Sequence, residues 1–230
     1  MRKEIDVDNW ERKLAFETFS DYSDPYTGVV TQVNVTELVT YCKNHNISFY
    51  GSMIYNILKS LKEIDSFMIG YGKEKGQLKI YEYDNLAATA TVLTNSNNLN
   101  FTRYIEYNDN FDIFINQFNK AKNDAENGLS YYKIDNLDNM NKIQITCMPW
   151  LSFSNFKDAI NSNEKNSKPR ICWGKYYLKD NIYLLDVSLL VNHAFQDGYH
   201  MGMFFINLQS NIQNHVQNTK SKSFVKKMVK

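Results

Sequence analysis

The sequence predicts an α/β protein, a two-layer sandwich in which helices pack on one face of a mixed β-sheet. Segments with helical apolar spacing are interspersed with short alternating or β-branched segments, several of them joined by hairpin-like turns. Strict alternation of strands and helices is absent, which argues against a doubly wound parallel sheet. The chain has 230 residues, of which 43% are hydrophobic, enough for one sizeable core. We therefore expect a single domain over residues 1–230.

In the first half of the chain, turn residues and apolar spacing separate helices from short strands. Asp8 and Asn9 are suited to cap a first helix, Pro25 and Gly28 mark the loop after it, and Thr36 is suited to cap the next helix. In order, we expect a helix over 10–19, a loop over 20–28, a strand over 29–35, helices over 36–46 and 48–62, and strands over 67–71, 77–83 and 88–93.

The second half continues the mixture and ends in a basic tail. Residues 143–148 alternate as a strand does, and Pro149 stops them. Lys179, Asp180 and Asn181 are typical of a hairpin turn. In order, we expect a strand over 101–105, a helix over 111–127, a polar loop over 128–141, the strand 143–148, a polar loop over 158–168, hairpin strands over 171–178 and 182–191, a helix from 201 to about 212, and a frayed tail from Lys220.

Composition excludes several classes of function. The formal net charge of +1 gives no global field that would attract nucleic acid or an anionic membrane. No window approaches the roughly 20 apolar residues that span a bilayer. The first residues are charged and lack the apolar core of a signal peptide, so we expect a cytoplasmic protein. The three cysteines and four histidines lack metal-ligand spacing, so we expect neither a metal site nor a disulfide frame.

The stretch 191–200 is the first candidate for chemistry, because there a β-rich segment ends, an Asp-Gly turn follows and a helix begins. Histidine exchanges protons near neutral pH, so His193 is a candidate general base. Asp197 either orients its ring or holds the loop that carries it. A lone H-x-x-x-D-G pattern is short, and taken alone it favours a buried structural histidine.

Other residues have a functional and a structural interpretation. Thr146 on its strand is suited to donate to an oxyanion, or is simply a β-favouring residue. Lys175 and Tyr176 pair a cation with an aromatic ring, as a nucleotide site does, or lie on a solvated edge strand. Arg12 either pairs with a distant carboxylate or is exposed. Cys172 lies in a predicted strand, where a buried structural thiol is the expected role.

Five motifs in order give the chain a resemblance to type A chloramphenicol acetyltransferases. The motifs are Trp10-x-Arg12-Lys13-x-x-Phe16-Glu17, Phe49-Tyr50, Met148-Pro149-Trp150-Leu151-Ser152-Phe153, Gly174-Lys175-Tyr176-Tyr177 and His193-Ala194-x-x-Asp197-Gly198-Tyr199-His200. The resemblance implies the fold of CoA-dependent acyltransferases. It also implies a homotrimer with active sites between subunits, acetyl-CoA as a co-substrate with no permanently bound cofactor, and chloramphenicol as the acceptor.

The resemblance also implies roles for particular residues. His193 would take the proton from the acceptor hydroxyl, and Asp197 would pair with Arg12 to hold the loop. Thr146 stands where the family has a serine that donates to the oxyanion. Lys175 and Tyr176 would contact the adenosine and phosphate end of CoA. The implied acceptor-binding residues are Phe19, Thr27, Phe101, Phe156 and Cys172.

Departures from the family pattern leave two alternatives to acetylation of chloramphenicol. Thr27 and Arg170 stand where apolar residues are usual, which favours a different hydroxylated acceptor. Cys172 replaces a threonine that holds a water, and Ser48 replaces a basic residue before Phe49, which favours a non-catalytic binding protein on the same scaffold. Asn192 stands where the family usually has a second histidine.

Overall fold

The computed structural model describes residues 1–129, 141–161 and 164–228, with side chains described as far as Gln217. Its strands are β1 (Arg2–Glu4), β2 (Tyr26–Asn34), β3 (Ile69–Glu74), β4 (Gln77–Tyr83), β5 (Leu86–Leu93), β6 (Leu99–Phe101), β7 (Ile105–Glu106), β8 (Asn141–Cys147), β9 (Arg170–Trp173), β10 (Tyr177–Lys179) and β11 (Ile182–Asn192). Its α-helices are α1 (Lys13–Phe19), α2 (Thr36–His45), α3 (Phe49–Lys62), α4 (Phe111–Glu126) and α5 (Gly198–Met228). None of the described helices is both long enough and apolar enough to cross a membrane.

The main sheet is mixed. In the described residues it has the order β10-β11-β9-β8-β5-β6, with β2 also paired to β11 and β7 to β5. The pairs β5–β8 and β8–β9 are parallel, and β11 is antiparallel to β9, β10 and β2. A separate small sheet has the order β1-β4-β3.

Helices α2 to α5 cover one face of the main sheet. The core between the layers contains, among other residues, Ile143, Ile145, Ile171, Trp173, Val187 and Leu189 from the strands and Leu38, Ile57, Phe114 and Phe204 from the helices. Neighbouring strand residues point to opposite faces. The strand residues that alternate with these core residues therefore lie on the opposite face of the sheet. The helices do not cover that face, which is called here the helix-free face. The prediction of a two-layer α/β sandwich with a mixed sheet is confirmed.

A second, smaller cluster holds the chain that follows β11. It centres on Phe195, which is fully buried, and on Ala194 and Ile80. The rings of Trp10, Phe16 and Tyr71 surround Phe195, with ring centroids 6.0, 5.8 and 4.9 Å away. The small sheet and α1 are therefore packed around the residues next to His193.

Several strand predictions were wrong for reasons that lie in long-range contacts. β1 was not predicted, because its charged residues are held by pairing with β4 and by the ion pair of Glu4 with Lys79 (2.7 Å). The predicted strand 101–105 is interrupted, because the Thr102 hydroxyl accepts the hydrogen bond of the Ala90 backbone N–H (3.0 Å). The predicted strand 171–178 is divided at Gly174, where a Cβ atom would clash with the Leu151 carbonyl oxygen.

Other element boundaries also differ. β2 begins at Tyr26, inside the predicted loop 20–28. A 3-10 helix occupies Asp65–Met68, so the strand predicted over 67–71 begins at Ile69. α5 continues to Met228, well past the predicted end near Ile212 and through the tail that we expected to be frayed. Most of the predicted polar loop 128–141 lies outside the described residues, as do residues 162–163 of the loop 158–168.

Candidate active site

His193 is the first residue after β11, and the backbone on both sides fixes its position. Its N–H donates to the Pro25 carbonyl oxygen (2.8 Å), which continues the pairing of β11 with β2. The side-chain oxygen of Asn192 accepts from the Ala194 N–H (2.9 Å), and the Asn192 amide donates to the Asn166 carbonyl oxygen (2.8 Å). The histidine is thus held at the end of a rigid strand, and its side chain is only partly buried.

The imidazole of His193 stacks on the ring of Phe19 at the end of α1. The two ring centroids are 4.1 Å apart and the planes are 5° from parallel. The ring nitrogen Nδ1 is buried without a hydrogen-bond partner among the described residues. Stacking therefore fixes the plane of the imidazole, and no hydrogen bond within the described chain occupies that nitrogen.

Among the contacts of the described residues, Asp197 has no hydrogen bond to the His193 ring. Its carboxylate accepts from Arg12 (Nη1 to Oδ2, 2.9 Å) and lies 2.8 Å from Nδ1 of His200 (to Oδ1). It also accepts from the Tyr199 backbone N–H (3.0 Å) in the first turn of α5. Of the two roles left open for Asp197, the geometry thus favours holding the loop, by tying the start of α1 to the start of α5.

The charge of Asp197 is stabilised by these partners. Burial by itself raises the pKa of its carboxyl group, but the hydrogen bond from Arg12 and the charges of His200 and Arg12 outweigh burial. Together they lower the pKa from 3.8 to about 2. The carboxylate is therefore ionised throughout the range in which a histidine exchanges protons.

Thr146 lies at the other end of the sheet from His193. In the register, Thr146 is opposite Cys172, and Cys172 is opposite Ser188. His193 is five residues beyond Ser188 on the β11 chain, and two strand spacings separate β11 from β8. At ~3.3 Å per residue and ~4.8 Å per strand spacing, the two residues are about 19 Å apart within one chain. A proton acceptor and an oxyanion donor must lie within a few ångströms of the same reacting group.

Three of the implied site residues form one transverse row on the helix-free face. Phe101 is opposite Thr91 on β5. Continuing the β5–β8 register by one residue places Thr91 beside Thr146, which is itself opposite Cys172. The structure therefore brings Phe101, Thr146 and Cys172 to one face.

The remaining acceptor candidates lie elsewhere. Phe156 helps to line a cleft of about 270 Å³ whose other lining residues include Ser188 and Leu190 of the helix-free face. Thr27 is opposite Val191, whose side chain belongs to the core, so Thr27 is on the helix-covered side near His193. Phe19 stacks on His193 and therefore lies at the same end of the sheet as that residue. One chain thus divides the implied site residues between two ends of the sheet.

The cofactor candidates Lys175 and Tyr176 lie just beyond the end of β9, at the same end of the sheet as Thr146. The Tyr176 ring packs against Phe49 and Tyr183, at 5.3 and 5.4 Å between centroids. Tyr176 also lines a cleft of about 200 Å³ with Lys43. Lys175 is exposed, and its ammonium group has no ion pair within the residues that the structure describes.

Cys172 is buried and Cys147 is partly buried, and neither thiol is suited to act as a nucleophile. Burial raises the pKa of Cys147 to about 12. Burial, with smaller contributions from Cys147 and Asp158, raises the pKa of Cys172 to about 12. The nucleophile of a cysteine is its thiolate, and at these pKa values neither group carries appreciable thiolate near neutral pH. In the described part of the chain, no group of three or more His, Cys, Asp or Glu residues is arranged to hold a metal ion.

Two polar contacts near the site were not predicted. The first is the bond of His200 to Asp197, for which a signal existed: residues three apart at the start of a helix lie side by side. The second is the ion pair of Arg170 with Asp158 (Nη1 to Oδ2, 3.1 Å). No local pattern announces that pair, because Asp158 lies in a segment without regular structure.

Comparisons with known proteins concern the family of the chain and its fold. A family model described as chloramphenicol acetyltransferase matches residues 2–209. A chloramphenicol acetyltransferase of Staphylococcus aureus is 31% identical over 218 residues, covering 91% of this chain and 98% of its own. Another, of Clostridium perfringens, is 26% identical over 211 residues, covering 92% of this chain and 94% of its own.

Solved structures confirm the fold. A chain described as chloramphenicol acetyltransferase has a TM-score of 0.81 at 21% identity, and the match covers 92% of this chain and 100% of that chain. A probable dihydrolipoamide acetyltransferase of Listeria monocytogenes has a TM-score of 0.60 at 14% identity, covering 92% of this chain and 94% of that one. At these identities the likeness concerns the fold alone, which is the predicted fold of CoA-dependent acyltransferases.

Proposed function

This chain belongs to the chloramphenicol acetyltransferase family and is an acyltransferase. We propose that it moves the acetyl group of acetyl-CoA to a hydroxyl of chloramphenicol. The observation that carries the proposal is the family match over residues 2–209. The strand-end position of His193 supports it, because a general base needs a rigid support and an accessible ring.

His193 acts as the general base. It takes the proton of the acceptor hydroxyl while the hydroxyl oxygen attacks the carbonyl carbon of the thioester. The electron pair of the carbonyl moves onto its oxygen, and the Thr146 hydroxyl donates a hydrogen bond to that oxyanion. When the carbonyl re-forms, the carbon–sulfur bond breaks. The CoA sulfur then takes the proton back from His193, which leaves the acetyl ester and the free thiol.

Acetyl-CoA approaches from the end of the sheet that carries Thr146. Lys175 supplies a cation for a phosphate group of CoA, and Tyr176 supplies a ring for its adenosine. The cleft of about 200 Å³ beside Tyr176, which Lys43 also lines, supports this placement.

The active site forms between two copies of the chain in a homotrimer. The separation of about 19 Å between Thr146 and His193 supports this arrangement, since it is too large for both to act on one thioester within a single chain. A ring of three copies meets the need, because each copy then contributes its His193 end to one neighbour and its Thr146 end to the other.

A second acceptor class, another hydroxylated compound, has one specific observation in its favour. Arg170 is buried on the helix-free face, two residues from Cys172, where an apolar drug would lie. A panel of hydroxylated acceptors decides between the two: if chloramphenicol is the best substrate, the alternative fails.

The proposal is tested by the release of the CoA thiol from acetyl-CoA, with and without chloramphenicol. We expect release that depends on the drug and saturates with it, and mass spectrometry should find the acetyl ester. A folded oligomer that shows no drug-dependent release would overturn the proposed acceptor. Release with another acceptor in the panel would then preserve the acyltransferase assignment.

A further inference from the structure

Residues 152–161, called here the acceptor segment, are part of the connection between β8 and β9 and form neither a helix nor a strand. In the part of the chain that the structure describes, residues 152–160 have no backbone-to-backbone hydrogen bond. The segment nevertheless lines two clefts, of about 390 and 270 Å³, and it carries Phe156. Its position must therefore come from side chains.

Arg170 on β9 provides a firm attachment. Its Nη1 donates both to the Asp158 carboxylate (3.1 Å) and to the Ala159 carbonyl oxygen (2.8 Å). Only 10% of the Arg170 side chain and 19% of the Asp158 side chain are exposed. A pair so far removed from water is weakly screened, unlike an exposed pair.

A second ion pair of the segment is a natural comparison. Lys157 lies 3.5 Å from Asp24, and these side chains are 80% and 55% exposed. Exposed pairs of that kind contribute little. Arg170 is therefore the attachment that fixes the segment, although Lys157 is adjacent to Asp158 in the chain.

The position of Arg170 in the sheet connects this attachment to the acceptor. Arg170 is on the helix-free face, two residues before Cys172 and opposite Leu190. Phe156 precedes Asp158 by two residues and shares its cleft with Leu190. Holding Asp158 against Arg170 therefore holds Phe156 over the face that carries Cys172.

We propose that Arg170 is a positioning residue for the acceptor: through Asp158 and Ala159 it fixes the acceptor segment, and with it Phe156, over the helix-free face. The proposal rests on the proposed acetyl transfer only for its kinetic consequence. The attachment of the segment itself is independent of what the protein acetylates.

The kinetic test compares three variants with the wild type. Arg170→Met should raise the KM for the acceptor roughly tenfold or more, because a misplaced contact residue loses binding geometry. The KM for acetyl-CoA should change less than twofold. Arg170→Met combined with Asp158→Asn leaves no unpaired buried charge, so it should recover thermal stability yet keep the raised acceptor KM. The control Lys157→Met should behave as the wild type.

The structural test needs no substrate. The cleavage site is Lys165, which follows the acceptor segment in the chain. Trypsin should cut there several times faster in Arg170→Met and in the double variant than in the wild type or in Lys157→Met. Unchanged cleavage and unchanged acceptor KM in the folded double variant would overturn the proposal. Full recovery of the acceptor KM in that variant would also overturn it, because Arg170 would then serve only to neutralise the buried charge of Asp158. If the wild type acetylates no acceptor, the cleavage rates still test whether Arg170 fixes the acceptor segment.

Discussion

The ring of Phe19 lies parallel to the imidazole of His193, with centroids 4.1 Å apart. Phe19 ends α1, and Arg12, which immediately precedes that helix, bonds to Asp197. The short helix is thus tied at both ends to the loop between β11 and α5. The loop cannot move relative to α1 without breaking either a stacked pair or an ion pair, so these two contacts hold the loop and the plane of the His193 ring in place.

Replacing His193 with alanine should lower the acetyl-transfer rate at least ~10²-fold, the contribution of a positioned general base. The KM for acetyl-CoA should be little changed, because the bulk of CoA is proposed to bind at the other end of the sheet. Thiol release under saturating substrates measures the effect. His45→Gln is the matched control, since His45 is on α2 and is bonded to its own helix backbone. Unchanged turnover in His193→Ala would refute the assignment.

Arg12 and Asp197 should behave as a coupled pair in a double-mutant cycle. Each of Arg12→Gln and Asp197→Asn should lower both the rate and the free energy of unfolding, because either leaves the loop untied. The double variant should be less damaged than the sum of the two, with a coupling energy of roughly 1 kcal/mol in stability. Denaturant titration of the four proteins measures it. Simple additivity would mean that the pair does not hold the loop.

The low pKa of Asp197 makes a prediction about acid stability. Its carboxyl has a pKa of about 2 in the folded chain, against 3.8 as the reference for the unfolded chain. The native state therefore binds its proton less readily, and the stabilisation is fully present above about pH 4 and is lost as the pH falls towards about 2. The difference in free energy of unfolding between the wild type and Asp197→Asn should shrink over that window. A difference that is independent of pH would contradict the prediction.

Local pattern predicted helices well where a helix buries an apolar face. α3 is an example: it was expected over 48–62, and it spans Phe49–Lys62. Local pattern failed where distant residues decide the structure. β1 is held by Lys79 across the small sheet, and the strand break at Gly174 depends on the Leu151 carbonyl oxygen.

In the candidate site, too, local motifs predicted some features and long-range structure determined others. The ordered motifs pointed to His193, Asp197 and Arg12, and the last two are bonded across most of the chain. The separation of Thr146 from His193 was not predictable, because it follows from the register of β8, β9 and β11, which no local spacing encodes. The resemblance implied a site between subunits, and the separation given by the register supports that proposal.

The thiols of Cys147 and Cys172 should react slowly with thiol reagents in the native protein. Burial raises both pKa values to about 12, so almost no thiolate exists near pH 8. Native protein should therefore keep its activity during treatment with an alkylating reagent, and all three cysteines should react only after denaturation. Mass spectrometry counts the modified residues. Rapid loss of activity with modification of Cys172 would contradict the expectation.

Mixing two impaired variants should restore activity if the site lies between chains. Thr146→Val removes the hydroxyl with little change of shape and should cost about 10²-fold, as the loss of an oxyanion donor does. His193→Ala removes the base. In every trimer that contains both variants, one of the three interfaces should join an intact His193 from one chain to an intact Thr146 from its neighbour. Differently tagged chains, co-expressed and purified through both tags, should therefore regain about a third of wild-type turnover. Chains that carry both substitutions, mixed with His193→Ala chains, are the control, because no interface can then be complete. The absence of recovery in verified mixed oligomers would place both residues in one chain, against the separation that the sheet register imposes.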